Sequence, residues 1–557
     1  MSQNSKASLP LSQESAGNLS RRKFLALGSI GLVVASGLGS EARAQSAGFN
    51  YYISPTGNDG NPGTLASPWA ITSLMSTKQS ANNVANFNAM AGKRIGLLPG
   101  IYNVSAYMQP QSSNGAVQVP GGSSGSPTYL ASSNALGQYS QLAATITAMN
   151  GSVYGGTGGS GEAYNGPMLG HTGVNQNSTY PVGYITLDGI TFTGFSYKGV
   201  RIGGGSSGDG PTGIPGVIVQ NCLFTGGGFN PGAAVDNSDA LWIDCTANAL
   251  VTNNKFLNNV GHQAGGADHL NAIIIWGSAN NFNTTGTVIT NNTIINAGNI
   301  YGKEVAIQGT TVAYNYVDMS MYTGGGVNAG AQDFTGANQS GLTRTTNIHH
   351  NILLSTNEGI GSSTLSQGYG FTTPANIYNN TIVMNSNGSG TPYPAAWIVS
   401  QTANNINFYN NVYTGAADAS GYGTFVTNAG AIAIWDYNLL TTGMNWVLRQ
   451  NGSLGSVQAT YTSLAAWKAG VAANGGPNVD GHSVQNNSPG FTNSGTLAQL
   501  YQLASGSPAL NAGRVGGVPS GAVCNMGAWD GTVTQIGSSI GTIALVTPEP
   551  PSNVTVT

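Results

Sequence analysis

Val288-Ile289-Thr290-Asn291-Asn292-Thr293-Ile294-Ile295 is one copy of a unit that recurs along most of the chain. In each copy a polar anchor residue, here Asn292, has an apolar residue three positions before it and another two positions after it. The anchors are Asp188, Asn221, Asn254, Asn292, Asn315, Asn351, Asn380, Asn411 and Asn438. An internal repeat of this length is typical of a solenoid built from stacked coils.

The two apolar residues of each unit lie five positions apart, so in a flat strand they would point to opposite faces. Both can face one core only if the chain bends between them, and Asn tolerates the left-handed backbone that a tight bend needs. Successive anchors are between 23 and 38 residues apart. We therefore predict an all-β parallel β-helix of about nine or more coils, with stacked Asn residues in amide ladders.

The composition fits this fold and excludes some partners. The chain has 83 Gly in 557 residues, 40% hydrophobic residues and only 6% charged residues. Periodic apolar segments favour a packed core over disorder. A net charge of −3 without a basic stripe argues against nucleic acid as a partner. Three cysteines cannot form a disulfide framework, and no motif predicts a metal site.

The N-terminal region has the three parts of an export signal. Arg21-Arg22-Lys23-Phe24-Leu25 precedes an apolar stretch that ends at Leu38, and Ala42-Arg43-Ala44 follows. The paired arginines with Phe-Leu resemble the twin-arginine signal. We predict that residues 1–44 are a signal peptide and that the mature protein is periplasmic or extracellular. No transmembrane span is expected in the mature chain, and we expect a monomer.

Several segments resemble the ends of exported right-handed β-helix proteins of the pectate-lyase-like superfamily. They are Tyr51–Gly60, Arg94–Tyr102, Ser507–Gly513 and Met526–Trp529. The resemblance implies a right-handed parallel β-helix over residues 45–530, with caps, and a C-terminal tail over residues 531–557. It implies an extended polysaccharide as partner, but the superfamily holds lyases, hydrolases, epimerases and non-enzymatic adhesins.

A further apolar strand in each coil predicts where chemistry lies. If its first and third residues point inward, two outward columns follow. One column holds Arg201, Trp242, Ile274 and Ala306, and the next holds Gly203, Asp244, Trp276 and Gln308. At the strand entrance stand Lys198, Asp239, Asn271 and Lys303, with His269 and Glu304 nearby. The coil from Asn292 to Asn315 has only 23 residues between longer neighbours, which predicts a depression with Lys303, Glu304 and Gln308 on its floor.

Two reactions suit these residues. A lyase on a uronic-acid glycan needs a cation beside the carboxylate and a base for the adjacent proton. A hydrolase needs two carboxylates, such as Asp239 with Asp268 or Asp244 with Glu304. Exposed Trp242 and Trp276 would stack on sugars. The catalytic candidates are Lys303, Asp244, Asp239, His269 and Glu304, and the substrate-binding candidates are Arg201, Lys198, Trp242, Trp276 and Gln308.

The segment Asp239–Asp244 resembles the Trp-Ile-Asp strand of pectate lyases. Elimination is our first prediction and hydrolysis the second, with a non-catalytic glycan-binding or adhesin-like solenoid as the rival class. No clear motif identifies a cofactor, and a calcium requirement stays open.

Overall fold

A computed structural model describes most of the chain between residues 48 and 540. The described residues are 48–74, 81–107, 116–150, 153–154, 169–171, 183–195, 198–203, 214–227, 238–244, 246–259, 270–276, 286–303, 309–319, 330–335, 345–355, 358–361, 375–384, 396–398, 406–415, 422–426, 429–448, 459–495 and 497–540. The predicted signal peptide, residues 1–44, and the end of the tail lie outside them.

Three long sheets of twelve strands each run side by side, and each coil contributes one strand to a sheet. Sheet 1 contains Tyr51–Ile53, Arg94–Leu97, Thr128–Ser132, Ile185–Asp188, Val217–Gln220, Leu250–Thr252, Val288–Thr290, Thr311–Ala313, Thr346–His349, Ala375–Tyr378, Ile406–Tyr409 and Ile432–Asp436. Sheet 2 contains Gly100–Asn103, Ala144–Thr147, Thr191–Thr193, Leu223–Thr225, Lys255–Leu257, Thr293–Ile295, Tyr316–Asp318, Ile352–Ser355, Thr381–Met384, Val412–Gly415, Leu439–Thr441 and Val484–Asn486. Sheet 3 contains Val117–Gln118, Leu169–His171, Lys198–Gly203, Ser238–Asp244, Leu270–Trp276, Asn299–Lys303, Gly330–Thr335, Glu358–Gly361, Ala396–Ile398, Tyr422–Val426, Asn445–Leu448 and Ala459–Tyr461.

The pairing within the three sheets is parallel, apart from the last strand of sheet 3, which is antiparallel to its neighbour. Smaller sheets and short helices lie outside the three long sheets. Two-stranded sheets join Met149–Asn150 with Val153–Tyr154, Ile214–Pro215 with Thr246–Ala247, and Gly513–Arg514 with Val523–Cys524. The α-helices are Ala81–Met90 and Leu464–Ala473, and the 3₁₀ helices are Ile71–Leu74, Ser105–Tyr107, Ala429–Ala431, Leu497–Tyr501 and Val515–Gly517. The predicted parallel β-helix is therefore confirmed.

The apolar residues of the repeat form the interior. Ile289 and Ile294, which flank Asn292, are completely buried in the main core, as the repeat predicted. Inward side chains stack from coil to coil along the axis. Phe192, Phe224 and Phe256 form such a stack, with ring centroids 5.0 Å and 4.7 Å apart. This continuous core explains how a chain with few charges can fold as a long solenoid.

The predicted amide ladder runs through the bends between sheets 1 and 2. In one representative step, the backbone N–H and side-chain Nδ2 of Asn292 both donate to Oδ1 of Asn315, at 2.9 and 3.0 Å. The buried asparagines that share this geometry are Asn254, Asn292, Asn315, Asn351, Asn380, Asn411 and Asn438. At the far end Asn438 donates to Oγ of Ser483, which in turn donates to the Asp480 carboxyl.

The first two anchors were aligned wrongly. Thr191 pairs with Leu223, which pairs with Lys255, so the residue aligned with Asn254 is Cys222, not Asn221. The Cys222 backbone N–H donates to the Asn254 side chain across a separation of 32 residues. Accordingly, Ile218 is half-exposed instead of facing the core.

Asn221 belongs instead to the neighbouring column of left-handed residues. Its φ is 56°, and the first Asn of later pairs matches it, with 54° at Asn253 and 55° at Asn291. The first residue of each pair therefore makes the bend, and the second makes the ladder. Asp188 ends its strand and accepts four hydrogen bonds, from Tyr129, Tyr139, Gln220 and Asn221.

The C-terminal segment runs back along the outside of the solenoid. We call residues 526–540 the strap. Gly527 N–H donates to the Asn410 carbonyl, Gly537 N–H to the Tyr314 carbonyl, and Ser538 Oγ to the Asn253 carbonyl. The strap thus reaches from a late coil to an early one. Its packing continues to Ile540, beyond the domain end that the sequence predicted at residue 530.

Two of the three cysteines are described, and both are free thiols: Cys222 is buried and Cys524 is partly buried. Cys245 lies outside the described residues. Among the described parts of the chain, no helix is long and apolar enough to cross a membrane.

Candidate functional site

The outer face of sheet 3 brings the predicted columns together over three coils. Lys198 pairs with Asp239, which pairs with Asn271. In the same strands Arg201, Trp242 and Ile274 are aligned, and Asp244 is aligned with Trp276. The intervening residues Val200, Leu241 and Ile273 are completely buried in the main core, so the Arg201 column faces outward. These three rungs confirm the predicted register.

The predicted register is wrong for the next coil. The strand in sheet 3 is Asn299–Lys303, not Val305–Gln308. Trp276 is aligned with Lys303 instead of Gln308, and Ile274 with Tyr301 instead of Ala306. The short coil enters sheet 3 several residues before the predicted strand at Val305. Its first inward residue is Ile300, which is paired with Ile273 and completely buried.

An ion pair and a tryptophan pair form the centre of the outer face. Arg201 Nη2 lies 2.8 Å from Asp244 Oδ2, so these two oppositely charged groups hold each other. The rings of Trp242 and Trp276 stack with centroids 5.4 Å apart and planes inclined by 24°. Lys198 Nζ lies 3.7 Å from the centroid of the Trp242 ring, a cation–π contact. We call Lys198, Arg201, Trp242, Asp244 and Trp276 the outer cluster.

The prediction that both tryptophans are exposed is wrong for Trp242. Only 9% of Trp242 is exposed, whereas Trp276 is half-buried. The contacts with Lys198 and with the Trp276 ring account for part of this burial. Two buried donors of the outer cluster, Arg201 Nε and Trp242 Nε1, have no hydrogen-bond partner among the residues that the structure describes. Buried N–H groups are normally satisfied, so this arrangement invites an oxygen acceptor from a ligand.

Asp239 occupies a different environment from Asp244. It is completely buried, and Asn271 Nδ2 donates to its Oδ1 at 2.5 Å. A carboxyl with no exposed surface cannot contact a bound polysaccharide without rearrangement of the site. The position of Asp239 therefore favours a structural role at the strand entrance.

The remaining site predictions receive little structural detail. Lys303 ends its strand and is paired with Trp276, which is in turn paired with Asp244, so Lys303 lies two rungs from Asp244. Adjacent rungs are about 4.8 Å apart, which places the Lys303 backbone about 10 Å from that of Asp244. His269, Glu304 and Gln308 lie outside the described residues, as does Asp268. The paired carboxylates of a hydrolase and the predicted depression thus stay predictions.

A second polar cluster lies where the strap crosses the bends, and its composition was missed at the sequence level. His349 Nδ1 lies 2.8 Å from His350 Nδ1, and His350 Nε2 lies 3.1 Å from Asp530 Oδ2. The pKa of His349 is lowered to about 3, chiefly by burial and then by the neighbouring imidazole. Burial raises the pKa of Asp530, but hydrogen bonds from His350 and Thr532 outweigh it and hold the pKa below its ordinary value.

No local pattern in the sequence indicates that His350 contacts a carboxylate 180 residues away. A second histidine–carboxylate pair joins His482 Nδ1 to Asp436 Oδ2 at 2.7 Å, with His482 about half-exposed. Within the described ranges, no three His, Cys, Asp or Glu side chains come together as a metal site would require.

Comparison with known proteins gives a likeness of fold. No protein-family model matches the chain, and no curated protein matches it. Pectate lyase Pel9A is 16% identical, with a TM-score of 0.47, covering 86% of this chain and 96% of the other. A rhamnogalacturonan lyase is 12% identical, with a TM-score of 0.36, covering 67% and 84%. The A-module of mannuronan C-5 epimerase AlgE6 from Azotobacter vinelandii is 16% identical, with a TM-score of 0.32, covering 73% and 96%.

Proposed function

We propose that this protein is exported and binds an extended polysaccharide across the outer cluster of sheet 3. The observation that carries the proposal is the pairing of a half-buried aromatic surface, Trp276, with two buried N–H donors that find no acceptor in the described part of the chain. Carbohydrate sites combine such an apolar platform with a few polar groups that fix orientation. A sugar face on Trp276 would bring ring oxygens toward Arg201 Nε and Trp242 Nε1, which bind them once the side chains that cover these two donors shift.

The charges of the outer cluster favour a uronic-acid residue. Asp244 holds Arg201 in place, with 2.8 Å between Oδ2 and Nη2. Arginine presents several donors in a fixed fork, so it can keep Asp244 while its Nε binds a second oxygen. We therefore propose that Arg201 binds the sugar carboxylate and that Asp244 orients Arg201. Lys198 is only 3% exposed and lies against the Trp242 ring, so we propose that it adds positive charge to this substrate site and reaches the carboxylate only if its side chain moves.

Elimination is the reaction that we propose for the bound glycan. Cations beside the carboxylate stabilise the negative charge that develops when a base takes the adjacent carbon-bound proton. The C–O bond to the leaving sugar then breaks, its oxygen gains a proton, and the remaining sugar becomes unsaturated. Lys303 is our proposed base because its strand position continues the column of Asp244 and Trp276. His269 and Glu304 stay alternative bases, and Gln308 a substrate contact.

The test measures turnover and binding separately on pectic, alginate and neutral glycans, with and without a calcium chelator. A lyase raises the ultraviolet absorbance of the unsaturated product, whereas a hydrolase yields reducing ends alone. Lys303→Ala should lower turnover by about 10²- to 10⁴-fold and leave binding unchanged. Trp276→Ala should weaken binding by about tenfold, through loss of the aromatic platform.

Lys255→Ala is the matched control, because Lys255 is a partly buried lysine on sheet 2. Its turnover and binding should equal those of the unmodified protein. Reducing ends without absorbance would favour the hydrolase. Binding without either signal would favour the adhesin-like class, which the ion-paired state of Asp244 also suits. Unchanged binding in Trp276→Ala would contradict the proposed site.

A further inference from the structure

The strap is fastened to the solenoid through one charged contact. Its sequence, residues 526–540, contains a single ionisable side chain, Asp530. Asp530 accepts from His350 Nε2 at 3.1 Å, while the other polar contacts of the strap are neutral hydrogen bonds, as at Gly527, Gly537 and Ser538. Docking of the strap therefore depends, through the His350–Asp530 pair, on how many protons the two adjacent histidines carry.

The short contact between the imidazoles limits how many protons the docked pair can hold. His349 Nδ1 and His350 Nδ1 are 2.8 Å apart, so one nitrogen must carry a proton and the other must offer its lone pair. A doubly protonated pair would place two N–H groups against each other. The docked pair thus has room for one added proton and excludes a second.

We propose that His349, His350 and Asp530 form a proton-sensitive latch, and that acid releases the strap from an otherwise folded β-helix. Release solvates both imidazoles, and each can then carry its own proton. The released state holds one proton more than the docked state, so linkage makes release about tenfold more favourable for each pH unit below about 6.

Among the described residues around the pair, the aromatic neighbours supply no charge that would offset the second proton. Tyr314 stacks on His350 with centroids 5.1 Å apart, and Tyr378 stacks on His349 at 4.8 Å. Burial raises the pKa of both phenols above the ordinary value, so they stay neutral in acid. Tyr409 stacks on Tyr378 and is also neutral there, because burial raises its pKa to about 12. Asp530 is the acidic group that faces the pair from the strap.

The apolar contacts of the strap define what release would uncover. Ala528 and Ile536 pack with Tyr316, Ile352 and Leu354 on the outer face of sheet 2. The side chains of this apolar contact do not ionise in acid, and the acidic group beside them is Asp318, whose Oδ2 accepts from Tyr316 Oη at 3.4 Å. We expect the latch to respond to acid before the coils do, because the core of the coils is apolar.

The experiment is hydrogen exchange of the full chain from pH 6 to pH 4.5, corrected for the intrinsic pH dependence of exchange. This range lies above the pH at which the carboxyl of Asp530 in a released strap takes up a proton of its own. Exchange of residues 526–540 should accelerate by about tenfold per pH unit, while residues 286–319 stay protected and report the folded solenoid. His349→Phe retains a ring against Tyr378 but cannot bind a proton. In that variant the pH dependence of strap exchange should disappear.

His482→Phe is the matched control, because His482 also pairs with a carboxylate but is already half-exposed. Its strap exchange should follow the unmodified protein at every pH. Strap exchange that is independent of pH in the unmodified protein would overturn the latch. So would exchange that rises only together with residues 286–319, or an unchanged pH dependence in His349→Phe.

Discussion

Replacing Asn315 by Ala tests whether the buried amide ladder holds the coils together. The Asn315 side chain donates from Nδ2 to the carbonyls of Ile289 and Ala313 and to Oδ1 of Asn351, each at 3.0 Å. Its Oδ1 accepts from both the backbone N–H and Nδ2 of Asn292. The substitution removes all of these contacts in a fully buried position.

The cost can be estimated from which partners find replacements. Asn292 Nδ2 keeps the carbonyls of Val251 and Thr290, but the Asn292 backbone N–H loses the acceptor on Asn315. A buried donor without a partner costs about 1–3 kcal/mol, and each further lost bond about 0.5–1.5 kcal/mol. Because several bonds share donors, we expect a loss of about 3–5 kcal/mol in the free energy of unfolding.

Asn376→Ala is the matched control on the outside of sheet 1. Asn376 also sits in an amide row, between Asn347 at 2.9 Å and Asn407 at 2.8 Å, but its side chain is half-exposed. Water can replace those bonds, so the loss should stay below about 1 kcal/mol. Urea unfolding of both variants, followed by fluorescence and circular dichroism, measures the difference. Equal shifts of the midpoint would refute the reasoning.

Three further outcomes follow from buried groups elsewhere. Phe224→Ala breaks the stack with Phe192 and Phe256 and should cost about 3–5 kcal/mol in the same urea assay, and a shift below 1 kcal/mol would contradict that packing. Burial raises the pKa of Asp480 to about 7, so its contribution to stability is complete below about pH 4 and is lost as the pH rises toward 7. Asp480→Asn should therefore gain stability relative to the unmodified protein by up to about 4 kcal/mol between pH 4 and pH 7.5, and a constant difference would contradict the assignment. Burial raises the pKa of Cys222 above its ordinary value and that of Cys524 to about 11, so peptide mapping after maleimide treatment should show Cys222 labelled only after unfolding and Cys524 labelled slowly in the native state.

The interior was predictable because it depends on local periodicity. Ile289 and Ile294 follow from spacing alone, and so does the ladder from Asn254 onward. The alignment of the first two repeat units was wrong because Asp188 and Asn221 are also residue types suited to bends. Both occupy columns beside the ladder. Only pairing between coils separates neighbouring columns, and that pairing is not local.

The site was less predictable, because its character depends on contacts across coils. The burial of Trp242 depends on Lys198 and Trp276 from adjacent strands. The register at Lys303 depends on how early the short coil reaches sheet 3, which the inward position of Ile300 decides. The Asp530 contact to His350 joins distant parts of the chain through the path of the strap. Each of these features is decided by tertiary contacts, and the local sequence is compatible with more than one arrangement.

The hydrogen bonds between the ladder side chains all point in one direction along the solenoid. Each asparagine donates to the side-chain oxygen of the next coil, from Asn254 through Asn411. Toward the preceding coil these side chains donate only to backbone carbonyls, as Asn315 does to Ile289, so the amide-to-amide bonds all run in one direction. A coil duplicated in the middle would find a donor on one side and an acceptor on the other, with every amide bond satisfied. Only the two ends need special residues, which are Cys222 at the first and Ser483 with Asp480 at the last. Such a chain can lengthen by tandem duplication of its middle while its termini stay constant.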